Sequence, residues 1–75
     1  MTATEARLVY MANQIARELA RTTDPAAATA DHIAKFWDPR MRARILGGDP
    51  QQLGLSEIAG RAFELLRERL AAKLG

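Results

Sequence analysis

The apolar residues of this chain recur at helical rather than strand spacing. Leu8, Met11, Ala12, Ile15 and Leu19 share one face of a 3.6-residue repeat, and no stretch alternates apolar and polar for the length of a strand. The boundaries come from the prolines. All three follow an aspartate, at Asp24-Pro25, Asp38-Pro39 and Asp49-Pro50. Aspartate is a favoured N-cap because its carboxylate accepts the free N–H groups of the first turn. Proline suits the next position, where its missing N–H is not needed, and it pushes the preceding residue out of the helical region. Each Asp-Pro pair therefore predicts a helix start.

Together these signals predict an all-α fold: one small helical bundle over residues 1–75, with three long helices and one short helix. The first helix is predicted over 3–21, opened by Thr2 and Glu5 at capping-box spacing. The second is predicted over 25–37, with Ala30, Ile33, Ala34 and Trp37 on one side, and is ended by Asp38-Pro39. The third is the short one, 39–46, stopped by Gly47-Gly48. Asp49, Pro50 and Gln52 predict a single turn before Gly54. The last helix, 55–74, begins at Leu55 or Ser56 and carries Ile58, Ala59, Ala62, Phe63, Leu65, Leu66, Leu70 and Leu74. So wide a stripe implies packing on several neighbours or on a second protein. Fifteen alanines in 75 residues support the same all-helical reading, since alanine is the best helix former.

Composition narrows the chemistry. The chain has no cysteine and one histidine, so neither a disulfide, a thiolate cluster nor an all-imidazole metal centre is expected. Ser56 is the only serine and occupies an N-cap position outside any nucleophile-elbow context. The carboxylates are dispersed, with three committed to caps, and Glu64 and Glu68 lie among Arg61 and Arg67 as a solvated helix face does. No catalytic residues and no metal ligands are assigned. A net charge of +2 is a weak argument for nucleic acid. No apolar run has the length of a membrane span, and no signal peptide is visible, so a cytoplasmic protein is expected. A chain this small without a disulfide relies on regular helices or on a partner.

One stretch stands apart: His32-Ile-Ala-Lys-Phe-Trp-Asp-Pro-Arg-Met-Arg-Ala-Arg44, which holds the only histidine, the only tryptophan and a local excess of three positive charges. Arg40 and Arg44 are four residues apart and share a helix face. Phe36 and Trp37 at a helix end fit either a core plug or an interface. His32 beside Asp31 fits an ordinary surface or cap position, and the arginines fit a solvated face. Tryptophan and arginine are nevertheless the types most enriched among interface hot spots. Asn13 is a poor helix-interior residue, and its place on the first helix predicts a side-chain hydrogen bond to another segment, with the corner between the second and third helices as the first choice. The candidate partner-binding residues are therefore Trp37, Arg40, Met41, Arg42, Arg44, His32 and Asn13, with Trp37, Arg40 and Arg42 as the principal contact.

Two segments together resemble a known family. Leu8-Val-Tyr-Met-Ala-Asn-Gln-Ile-Ala16 matches the pattern L-V-x-M-A-N-x-I-A, and His32 to Arg42 resembles H-[IL]-x-[KR]-F-W-x-P-R-M-R. Both patterns belong to the delta subunit of NAD-dependent formate dehydrogenase, and the likeness extends from about Leu8 to Leu66. The residues that carry over are Met11, Ala12, Asn13, His32, Phe36, Trp37, Pro39, Arg40, Met41 and Arg42. Gly47 to Gly54 and the C-terminus match nothing in the pattern. The resemblance implies a non-catalytic accessory subunit of a cytoplasmic complex. In such complexes an alpha subunit carries a bis-pterin molybdenum or tungsten centre and iron–sulfur clusters, and beta and gamma subunits carry FMN and the NAD site. The implied role is to stabilise the complex or to help mature its alpha subunit, with no cofactor bound by this chain. A small helix-turn-helix-like nucleic-acid binder, and a homodimer of the isolated chain burying the last helix, are the competing readings.

Overall fold

A computed structural model describes residues 3–74. Five helices follow one another: α1 (Ala3–Glu18), α2 (Pro25–Phe36), α3 (Pro39–Leu46), α4 (Pro50–Leu53) and α5 (Glu57–Leu74), with no strand among the described residues. The fold is the small all-α domain that the spacing predicts. Thr2, half of the expected capping box, lies outside the described residues.

All three Asp-Pro pairs start helices. The Ala27 N–H donates to Asp24 Oδ1 at 3.2 Å, the Met41 N–H to Asp38 Oδ1 at 2.9 Å, and the Gln51 N–H to Asp49 Oδ1 at 3.0 Å. Three ends differ from the expected boundaries for local reasons. α2 stops at Phe36 instead of 37, because Trp37 leaves the helix in an extended conformation. α1 stops at Glu18 instead of continuing to 21, because the Thr22 N–H and hydroxyl both donate to the Leu19 carbonyl, at 3.1 and 2.7 Å, and close a tight turn. α5 starts at Glu57 instead of 55, because Ser56 is its cap and accepts the Ala59 N–H on Oγ at 3.2 Å. The step from α4 into this cap passes through Gly54 at φ 83°, a left-handed conformation that only glycine adopts without strain.

The core explains the wide stripe of α5. Ala59, Ala62, Phe63 and Leu66 are buried, and α5 packs on α2 above all, then on α1 and α3. Alanines at 30, 59 and 62, all fully buried, keep side-chain bulk low where α2 meets α5. The space left is filled by Phe63 and Ile33, both fully buried, with Ile45 closing it from α3. Within the described side chains the stripe is consumed inside the chain as far as Leu66, and only Leu70 stands half exposed. The Leu74 side chain lies outside the described residues.

Candidate partner-docking surface

Everything at the 37–44 corner follows from how α2 ends. Phe36 closes the helix, and Trp37 leaves it in an extended conformation, φ −88°, ψ 140°, while its N–H still donates to the Ile33 carbonyl at 2.9 Å. The indole turns inward and meets Phe63 of α5, ring centroids 5.9 Å apart. Trp37 is 5% exposed. Of the two expected roles it takes the core one. Burial against Phe63 leaves Trp37 little surface to offer a partner, and what remains lines the groove described next.

Phe36 goes the other way and is 65% exposed. It stacks on His32 one turn earlier, centroids 4.6 Å apart, and the Lys35 ammonium lies 5.6 Å from its ring centre. Across from it on α1, Tyr10 is 68% exposed. Between these two rings runs a groove of about 380 Å³. Met11 and Ile15 of α1, the Trp37 edge and Met41 of α3 line it with apolar atoms, and His32, Gln14 and Glu18 supply its polar rim. Phe36 and Tyr10 are two of the three exposed large hydrophobic residues among those described, and both flank this one groove.

The predicted site residues are thus divided by the fold. His32, Trp37 and Met41 meet in the groove. Arg40 and Arg44 are exposed on α3 and enter no ion pair among the described residues. Arg42, half-buried, turns from the groove toward α5, so it does not form one contact with Trp37 as expected. Asn13 does bond to another segment, but not to the α2–α3 corner. Its Nδ2 donates to the Gly54 carbonyl at 3.0 Å, and its Oδ1 accepts the Ser56 N–H at 2.8 Å. Its amide fastens α1 to the entry of α5.

Sequence reasoning passes over Tyr10 and offers Phe36 an interface only as one of two readings, though both left a signal. Tyr10 falls off the Leu8–Met11–Ala12–Ile15 stripe, so an aromatic ring there points to solvent. Phe36 falls off the side of the second helix that carries Ala30, Ile33, Ala34 and Trp37, so its ring points away from that face.

Among the described residues no three His, Cys, Asp or Glu side chains converge on a point where a metal could sit. No described helix is long and apolar enough to cross a membrane. No curated protein and no solved structure matches the sequence. A family profile does, over residues 7–63 of the 75, and its span includes most of α1, all of α2 and the Phe36 to Arg42 corner. The chain belongs to the FdsD family, the delta subunits of NADH-dependent formate dehydrogenase.

Proposed function

We propose that this chain is a non-catalytic accessory subunit that docks on the larger subunits of a formate dehydrogenase through the Tyr10–Phe36 groove and so stabilises the assembly. The observation that carries the reading is the pair of exposed rings flanking one apolar groove. Leaving two large aromatic side chains in water forgoes the burial that every other part of this core achieves, and a partner recovers it. Aromatic anchors on a rigid helix corner lose little entropy on docking. Arg40 and Arg44, exposed on α3 and without an ion pair among the described residues, supply forked donors for a partner's carboxylates.

In this reading the chain holds no redox group. Its donor chemistry supports that: no cysteine thiolate and a single imidazole. The pterin-bound molybdenum or tungsten, iron–sulfur clusters, FMN and NAD site belong to the alpha, beta and gamma subunits, and the assembly is cytoplasmic. The helix-turn-helix alternative is less well supported, because α3 has eight residues and one of its three arginines turns toward α5.

The test is co-purification of a tagged chain with the alpha, beta and gamma subunits. A Tyr10→Ser, Phe36→Ser double variant should keep its helix content, since both rings are exposed, and lose the partner by at least about 30-fold in affinity, or about 2 kcal/mol. Full capture by the double variant would place the interface elsewhere. Recovery of the wild-type chain only with alpha subunit lacking its metal centre would replace the stabilising role by a maturation role.

A further inference from the structure

A second surface lies between α3 and the C-terminal half of α5, and the docking reading does not use it. A cleft of about 360 Å³ is lined by Pro39, Arg42 and Leu46 on one side and Leu66, Leu70 and Lys73 on the other. A smaller hollow of about 200 Å³ continues it past Arg42 toward Arg69. Arg42, Leu66, Leu70 and Lys73 line both.

Charge in this cleft is one-sided. Arg69 is neutralised by Asp31 at 2.9 Å, and the nearest carboxylates of α5, Glu64 and Glu68, are held by Arg61 at 3.1 and 3.8 Å. No acidic residue lines either hollow, and α3 itself contains none. Arg42 and Lys73 are left as two cations without a carboxylate among the described residues. The Arg42 Nε is buried, and its N–H finds no acceptor. Arg42 lines the cleft and enters no ion pair among the described residues, and a carboxylate is the acceptor whose geometry fits a guanidinium fork. Beside these cations Leu70 is 50% exposed over the buried Leu66.

Free phosphate would answer the charge but leave Leu70 wet, and a purely apolar segment would leave Arg42 unpaired. We infer that this cleft docks an acidic, leucine-bearing helical segment of a partner protein, with its carboxylate on Arg42 and Lys73 and its apolar side chain over Leu66 and Leu70. A helix presents such a pair at positions three or four apart, on one face. The inference is independent of the Tyr10–Phe36 groove.

The test uses the full chain and fluorescence anisotropy. The probe is a labelled alanine-based helical peptide with a glutamate four residues before a leucine; its controls replace the glutamate by glutamine or the leucine by serine. The wild-type chain should bind the probe saturably. Each control peptide, a Lys73→Gln, Leu70→Ser double variant and Arg42→Gln should each weaken binding at least tenfold. Lys73 and Leu70 are exposed, so that double variant stays folded even if Arg42→Gln does not. The Tyr10→Ser, Phe36→Ser variant should bind the probe as the wild type does, which separates this result from the docking test above. No saturable binding, equal binding of the glutamine peptide, or undiminished binding by the Lys73→Gln, Leu70→Ser variant overturns the proposal. So does loss of binding in the groove variant, which would move the peptide to the other surface.

Discussion

Replacing Asn13 by alanine removes both hydrogen bonds that tie α1 to the start of α5. One is donated by Nδ2 to the Gly54 carbonyl at 3.0 Å, the other is accepted by Oδ1 from the Ser56 N–H at 2.8 Å. Each is near-ideal in length and worth about 1 kcal/mol net. Alanine returns about 0.5 kcal/mol through its better helix preference. Both bonds are partly solvated, so water reclaims the freed groups and no large burial penalty is added. The balance is a loss of about 1.5 kcal/mol, or a fall in Tm of roughly 6–12 °C for a domain of this size. Asn13→Asp separates the two bonds. It keeps the acceptor for Ser56 and adds a negative charge near the N-terminus of α5, which is favourable, but it sets a carboxylate against the Gly54 carbonyl. Its loss should therefore be smaller than that of alanine. Thermal unfolding followed by circular dichroism at 222 nm, with urea unfolding as a check, measures both. An Asn13→Ala chain as stable as the wild type would refute the bridging role.

Four further substitutions test separate parts of the fold. Trp37→Ala empties a core position against Phe63 and should cost about 3–5 kcal/mol, enough to unfold much of the population in a urea titration, whereas Phe36→Ser next to it should stay within about 0.5 kcal/mol of wild type; equal effects at the two positions would contradict their opposite burial. Thr29 is fully buried and its hydroxyl has no partner. Thr29→Val keeps the shape, removes the orphan and should raise stability by about 1 kcal/mol, so a lower Tm would show that the hydroxyl is bonded in solution. Gly54→Ala should cost about 1–2 kcal/mol from backbone strain alone, because φ is 83° and a Cβ there meets nothing within 4 Å; an unchanged urea midpoint would show that the α4–α5 step relaxes.

What was legible in the sequence is what is made locally. An Asp-Pro start is complete within four residues, so Asp24, Asp38 and Asp49 announced α2, α3 and α4 without knowledge of anything else in the fold. The family resemblance was legible for the same kind of reason, because a run such as Phe36 to Arg42 is a string of residue identities. The ends of α1 and α5 were less legible, since Thr22 and Ser56 compete for backbone groups that a helical repeat alone would extend through.

The site belonged to the tertiary structure. Phe36 and Trp37 are adjacent and equally apolar, and only the presence of Phe63, far along the chain on α5, decides that Trp37 turns in and Phe36 stays out. Asn13 announced an unmet hydrogen bond but not its partner, which lies 41–43 residues away. The arginines of α3 read as one cluster because sequence spacing counts them together. The helix turns about 200° between successive arginines two residues apart, so Arg42 meets α5 while Arg40 and Arg44 remain in solvent. Local chemistry settles where a helix begins, but which face of it stays uncovered is settled by the neighbours that cover the rest.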